Sequence, residues 1–112
     1  MTNTDKRVRF LNLLGQLLTY MTKKNIRGII AWFHRTPEQQ KVLFDAGKSK
    51  CDGYKKISPH QNWLAVDLYL LNADNQIILS HDPVYAQLGA LWEGLGGNWL
   101  EEVDDIYHFE YK

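Results

Sequence analysis

The run LAVDLYL, residues 64–70, is the feature that most constrains how this chain can fold, because Asp67 is the only charged residue in it. A short apolar run of this kind is typical of a strand in the interior of a domain. An ionised carboxylate in such a strand is costly unless it is paired with an opposite charge or binds a metal ion. The run therefore predicts a buried strand that carries a polar site at its middle.

A histidine lies seven residues before this carboxylate, at position 60. Side chains alternate between the two faces of a strand, so an odd offset would place His60 and Asp67 on opposite faces of a straight strand. The two side chains can meet only if the backbone turns between them. We expect that turn in the segment PHQN, residues 59–62, with the regular strand beginning near Trp63.

The length of 112 residues is that of one ordinary domain, so we expect a single domain over residues 1–112. The 13 basic and 13 acidic residues give a net charge of zero, which argues against nucleic acid as a partner and leaves room only for a local basic patch. Cys51 is the single cysteine, so the chain cannot form an internal disulfide.

The N-terminal residues 1–24 are apolar on one side only and lack the small-residue cleavage site of a signal peptide. The longest apolar runs are well short of the roughly 18 residues that a membrane span requires. We therefore expect a cytoplasmic protein that has no signal peptide, does not insert into membranes and is a monomer.

Apolar periodicity and capping residues predict three helices and four strands. The helices are expected at residues 4–24, capped by Thr4 or Asp5, at 36–47, capped by Thr36, and at 82–96, capped by Asp82. The strands are expected at residues 26–35 and 64–70, within 71–79 after a turn at Asn72–Asn75, and at the end of 97–112. This order predicts an α+β domain with a mostly antiparallel sheet flanked by helices, and with Trp32, Trp92 and Trp99 in the core.

Two histidines lie close in sequence to carboxylates, since His60 precedes Asp67 and His108 follows Asp105 by three residues. A catalytic zinc ion takes three protein ligands and keeps one position open for water. His60, Asp67 and His108 would supply such a set and would leave Asp105 as a nearby base. On spacing alone, histidines and carboxylates that bind no metal remain the alternative. His34 and His81 are expected at the surface.

Four motifs resemble those of the VanY-like zinc peptidases, which include D-Ala-D-Ala carboxypeptidases and phage L-alanyl-D-glutamate endopeptidases. Residues 58–67, SPHQNWLAVD, resemble the family signature Ser-x-His-x-x-Gly-x-Ala-x-Asp, and DDIYHFEY resembles its closing Asp-x-x-His motif. GGNW resembles the Gly-Gly-x-Trp before it, and FHRTPEQQKVLFDAGKS resembles the upstream Arg-Ser/Thr-x-x-x-Gln helix, with Gln39 or Gln40 in register. The resemblance spans roughly residues 28–111.

The resemblance implies a DD-peptidase-like, or Hedgehog-like, fold and one Zn²⁺ per chain, held by His60, Asp67 and His108. It assigns the role of general base to Asp105. The neighbouring carboxylates Glu101, Glu102 and Asp104 are expected to be solvated.

Arg35 would hold a substrate carboxylate or negative charge in the transition state, or else form a structural ion pair. Ser58 would hydrogen-bond a metal ligand or the nearby loop, and Tyr107 would line the cleft. Trp63 departs from the family pattern, which has Gly at this position. Because Gly there indicates a positive φ or a close approach, Trp63 would alter the loop, crowd the site or form part of a changed substrate wall.

Three functions follow from this resemblance. The first is a zinc-dependent endopeptidase of the phage endolysin type that cuts peptidoglycan stem peptides between L-Ala and D-Glu and reaches the wall through a separate release system. The second is a D-Ala-D-Ala carboxypeptidase with the same site chemistry. The third is a catalytically impaired, zinc-stabilised binding domain. The reason to consider it is Trp63, which replaces the family glycine.

Overall fold

The computed structural model describes residues 1–79, 82–100 and 105–112. His81 and the acidic residues Glu101, Glu102 and Asp104, for which the sequence predicted solvent exposure, lie outside these ranges. The described part consists of three α-helices, a short 3-10 helix and a three-stranded antiparallel sheet, which confirms the predicted α+β class. None of the described helices is long and apolar enough to cross a membrane.

The first helix, α1, spans Asn3–Lys23 and begins earlier than predicted. Its N-cap is Thr2 rather than Thr4 or Asp5, because the Thr2 hydroxyl accepts the N–H of Asp5 while the Asp5 carboxylate accepts the N–H of Thr2. This reciprocal pair satisfies two N–H groups that otherwise lack partners at a helix start. The apolar stripe of α1 is buried through Phe10, Leu13, Leu14, Leu17 and Met21.

The sheet consists of β1, Arg27–Trp32, β2, Ala65–Leu71, and β3, His108–Glu110, in the order β1-β2-β3. The central strand is β2, the apolar run that contains Asp67. In the register of the sheet, Asp67 lies directly opposite His108. Strand pairing therefore brings together two residues that are 41 positions apart in the sequence.

The alternation of side chains divides this sheet into an apolar face and a polar face. Val66, Leu68 and Leu70 of β2 and Phe109 of β3 join the core cluster, together with α1 residues and with Tyr85, Leu88 and Trp92 of the third helix. The residues between them in the strands, which include Asp67 and His108, belong to the opposite face. The buried carboxylate is thus tolerated because it faces away from the hydrophobic core.

The second helix, α2, spans Pro37–Asp45, and the third, α3, spans Pro83–Gly94. Thr36 and Asp82 cap their N-termini, as predicted, and each is followed by a proline in the first turn. Proline suits this position because its missing N–H would have no helical partner there.

Residues 71–79 form the predicted turn, in which the Asn72 side chain accepts the N–H groups of Asp74 and Gln76. The returning strand predicted after that turn is wrong, because the segment forms only a single bridge, between Leu71 and Ile77. The reason is the hydroxyl of Tyr85, which accepts the N–H of Leu70 at 2.9 Å and donates to the carbonyl of Ile78 at 3.1 Å. The phenol group lies where a direct backbone hydrogen bond would continue the strand pair.

Two indoles hold the backbone on either side of His108. Trp92 donates its Nε1–H to the carbonyl of Glu110 at 2.8 Å, and Trp99 donates to that of Ile106 at 3.0 Å. Trp99 packs on Gly89 so closely that a Cβ there would lie 2.2 Å from the indole. Trp92 is fully buried in the core cluster and the half-buried Trp99 packs against it, as predicted. The prediction for Trp32 is wrong, because this half-buried residue at the end of β1 is not part of the cluster and its ring contacts the guanidinium of Arg35 instead.

Candidate metal centre

Three donor side chains converge on the polar face of the sheet. Asp67 comes from β2, His108 from β3 and His60 from the 3-10 helix Pro59–Asn62. The Oδ1 atom of Asp67 lies 3.2 Å from Nε2 of His60 and 3.0 Å from Nδ1 of His108. All three residues are buried, and one ligand atom from each lies within 4.8 Å of the other two. This group could hold a metal ion.

The 3-10 helix supplies the turn that the odd offset between His60 and Asp67 required. Ser58 caps this helix, since its hydroxyl accepts the N–H of His60 at 3.3 Å. The side chain of Gln61 accepts the N–H of Ser58 at 2.9 Å and completes a capping box. Ser58 thus fixes the backbone of the segment that presents His60 to Asp67.

The donor set fits zinc. In a tetrahedral site with ligand bonds near 2.1 Å, neighbouring donor atoms are roughly 3.4 Å apart. The two donor pairs that include Asp67 are separated by 3.2 Å and 3.0 Å, and the two histidine donors lie within 4.8 Å of each other. His60 donates its Nδ1–H to the carbonyl of Phe33 at 3.1 Å, which leaves Nε2 directed at the site. Nε2 of His108 lies 3.4 Å from the Glu110 carboxylate. Ring contacts of this kind orient histidine ligands in metal sites.

The charges of the site are balanced around Asp67. Burial opposes ionisation of Asp67, but the adjacent imidazoles of His108 and His60 outweigh it and lower the pKa of the carboxyl below its usual range. Burial likewise opposes the charge of His108, yet Asp67 and Glu110 raise its pKa to about 9. In the metal-free protein at neutral pH, a protonated His108 therefore lies between two carboxylates. A metal cation would replace that proton.

Arg35 holds the second oxygen of Asp67. Its Nη2 lies 3.2 Å from Oδ2 of Asp67, its Nη1 donates to the side chain of Gln40 at 3.2 Å, and its guanidinium lies 4.7 Å from the ring centre of Trp32. The contact between Arg35 and Asp67 is the structural ion pair that the sequence offered as an alternative role for Arg35. Because the pair uses Oδ2, the other oxygen of Asp67, Oδ1, faces the two histidines.

Gln40 is a site residue that the sequence left undecided against Gln39. The structure distinguishes them, since Gln39 belongs to the capping box of α2, whereas Gln40 is fully buried. The amide of Gln40 donates to the hydroxyl of Ser49 at 2.7 Å and to the carbonyl of Cys51 at 2.8 Å. Gln40 therefore connects Arg35 to the loop that follows α2.

Sequence reasoning missed Glu110. This residue is buried and belongs to the same strand face as His108, two positions earlier. The sequence does contain a signal for Glu110, because a residue two positions after a ligand in a strand lies on the same face of the sheet. That signal can be used only if the strand is known to include both residues, and the predicted strand had no defined first residue.

The three donors form the floor of a cleft of about 530 Å³, which Asp105 also lines. The Asp105 carboxylate accepts the N–H of Tyr107 at 2.9 Å, and its carbonyl accepts the N–H of His108 at 3.2 Å. Tyr107 itself is not among the described residues that line the cleft. Its ring packs on those of Tyr69 and Tyr85, each at 5.1 Å.

Trp63 adopts the backbone conformation that the family glycine implies. Its φ of 59° and ψ of 37° are left-handed, at the end of the 3-10 helix. The indole stacks on the ring of His34 at 4.1 Å and contacts that of Phe33 at 5.7 Å, while the guanidinium of Arg7 lies 5.8 Å from it. Such ring contacts offset part of the backbone strain. They hold Trp63 away from the described lining of the cleft.

Comparison with known proteins gives similarity at the level of structure. No protein-family model matches the sequence, and no curated protein matches it. A VanY D,D-pentapeptidase variant from a VanB-type vancomycin resistance cassette, in complex with Zn(II), superposes with a TM-score of 0.65 at 18% identity, over 93% of this chain and 71% of that one.

Two further solved structures give the same result. The L-Ala D-Glu endopeptidase ChiX of Serratia marcescens has a TM-score of 0.64 at 21% identity, over 95% of this chain and 77% of its own. VanYB in complex with D-alanine-D-alanine has a TM-score of 0.63 at 19% identity, over 93% of this chain and 70% of its own. The chain therefore has the fold of the VanY-like peptidases, as the sequence motifs predicted.

Proposed function

We propose that this protein is a zinc-dependent peptidase of peptidoglycan stem peptides, and specifically an L-alanyl-D-glutamate endopeptidase of the phage endolysin type. The observation that carries the proposal is the convergence of His60, Asp67 and His108 on the floor of an open cleft that Asp105 also lines. The structural likeness to ChiX and VanY supports it. One chain supplies all three ligands, so we propose one zinc ion per chain and an active monomer.

In this proposal, His60, Asp67 and His108 would hold a zinc ion, which would supply a Lewis acid for the scissile carbonyl and lower the pKa of a bound water. Asp105 accepts the proton of the attacking water and passes it to the leaving amine. The hydrogen bond from the Tyr107 N–H fixes the carboxylate at the cleft. Arg35 orients Asp67 and adds positive charge beside the carbonyl oxygen.

A D-Ala-D-Ala carboxypeptidase is the second candidate. The observation in its favour is that VanYB, one of the structural neighbours, is in complex with D-alanine-D-alanine. The third candidate, an impaired binding domain, rested on Trp63, and the stacking of that indole on His34 outside the cleft lining argues against it.

Purified peptidoglycan incubated with the zinc-loaded protein tests the proposal. Mass spectrometry of the released fragments should show new N-terminal D-Glu, whereas a carboxypeptidase would release free D-Ala. Asp105→Asn should lower the rate by roughly two to four orders of magnitude, and Asp74→Asn, in an exposed turn, is the matched control. Full activity of Asp105→Asn, or no cleavage by the wild-type protein with zinc bound, would contradict the proposal.

A further inference from the structure

One wall of the cleft is formed by the loop of residues 47–57, and three of its lining residues are lysines, namely Lys48, Lys50 and Lys56. All three are exposed, and within the described ranges none of them forms an ion pair. Lys41 of α2 differs, since its ammonium group lies 2.7 Å from the carboxylate of Asp45. The positive charges of the wall are therefore available to a ligand.

Two side-chain amides, one buried and one half-buried, attach this loop to the candidate metal centre. Gln40 donates to the hydroxyl of Ser49 and to the carbonyl of Cys51, and Gln61, next to His60, donates to the carbonyl of Gly53 at 2.9 Å. Since Gln40 also accepts from Arg35, the loop is connected to the guanidinium that holds Asp67.

Hydrogen bonds to the Asp52 side chain stabilise the backbone of the turn that carries Lys56. One oxygen of Asp52 accepts the N–H groups of Tyr54, Lys55 and Lys56 at 2.9–3.0 Å. Gly53 has a φ of +91°, and a Cβ there would lie 2.7 Å from the carbonyl oxygen of Pro37. The loop backbone is thus preorganised, which lowers the entropic cost of binding a ligand.

The cleft carries charges of both signs. The carboxylates of Asp67, Asp105 and Glu110 suit a cation, and Arg35 is already paired with Asp67 at 3.2 Å, so the exposed lysines of the loop are the positive charges left for a ligand. Burial raises the pKa of the Cys51 thiol, and the positive charge of Lys56 opposes this increase. Both residues line the cleft. In a chain of net charge zero, three unpaired lysines on one wall form a local positive potential that would attract an anion.

We propose that Lys48, Lys50 and Lys56 form an anion subsite that binds a carboxylate on the substrate residue directly after the scissile bond. The inference rests on the proposed peptidase function and specifies its substrate as an anionic peptide. Three flexible ammonium groups recognise the charge of a carboxylate rather than its exact geometry. A carboxamide at the same position would be a poor ligand, because it carries no charge.

Paired peptides test this subsite. Two stem peptides that differ only in a carboxylate or carboxamide on the residue after the scissile bond are compared by kcat/KM with the zinc-loaded protein. A second pair with a free or amidated C-terminus distinguishes a side-chain from a terminal carboxylate. We expect about a tenfold preference for the carboxylate, and each Lys→Gln change should lower this preference by roughly twofold. The preference should weaken in 0.5 M salt.

Lys55→Gln is the matched control, since Lys55 is an exposed lysine of the same loop that does not line the cleft. It should keep the preference, and the triple variant K48Q/K50Q/K56Q should reduce it to within about twofold of unity. A triple variant that keeps the wild-type preference would overturn the subsite.

Calorimetric binding of the same peptides to zinc-loaded Asp105→Asn separates the two proposals. If the wild-type protein cleaves neither peptide but the carboxylate form binds more tightly and the triple variant loses this difference, the peptidase function fails and the subsite stands. If the wild-type protein cleaves both peptides equally and both bind equally, the subsite fails and the peptidase function stands.

Discussion

The stability of the metal-free protein should fall as the pH rises through about 9, because of His108. Asp67 and Glu110 raise the pKa of this buried imidazole from 6.5 to about 9, and burial opposes them. The folded state therefore binds one proton more than the unfolded state between these two pH values. A difference of this size corresponds to about 3 kcal/mol of stabilisation, fully present below pH 6.5 and lost above pH 9.

Urea denaturation of metal-free protein at pH 6 and at pH 9.5 measures the effect. Other groups titrate in this interval, so the informative quantity is the difference between the wild-type protein and His108→Gln, which should shrink by about 3 kcal/mol at the higher pH. Zinc-saturated protein should not show this loss, because a ligated imidazole nitrogen cannot bind the proton. A pH-independent difference between the two metal-free proteins would refute the assignment of a protonated His108.

Three further substitutions have defined expectations. Trp99→Phe should lower the free energy of unfolding by about 1 kcal/mol in urea, because the carbonyl of the half-buried Ile106 loses its donor; an unchanged midpoint would contradict this. Trp63→Gly should change the free energy of unfolding by less than about 1 kcal/mol, since relief of left-handed backbone strain offsets the lost stacking on His34. It should leave the peptidase activity within about twofold, and a tenfold change in activity would show that the indole lies in the cleft. Gln40→Leu should release the loop and raise the alkylation rate of the half-buried Cys51 thiol at least about threefold, and an unaltered rate would refute its anchoring role.

The approach of His60 to Asp67 could be predicted because its constraint is local, whereas the meeting of Asp67 with His108 depends on strand pairing over 41 positions. An odd offset between His60 and Asp67 requires a turn, and PHQN, with serine before it and proline first, has the residues of a capped helical turn. The caps at Thr36 and Asp82 were predictable for the same reason. The cap at Thr2 was missed although its partner, Asp5, stands three residues later.

The missed features depend on contacts between distant parts of the chain. Periodicity predicted a returning strand at residues 71–79, but it cannot reveal that the hydroxyl of Tyr85 displaces a backbone hydrogen bond. The sequence motif fits Gln39 and Gln40 equally well, and only the contacts of the Gln40 amide with Arg35 and the loop distinguish them. Such residues are decided by tertiary packing rather than by local propensity.

The pairing of β2 with β3 makes metal binding a check on strand alignment. Asp67 faces His108 across only three paired positions. A slip of β3 by one residue would turn His108 and Glu110 toward the core and Phe109 toward the cleft. Misaligned molecules would then lack one ligand, so the zinc content of a preparation would report the fraction of chains whose last strand has docked correctly.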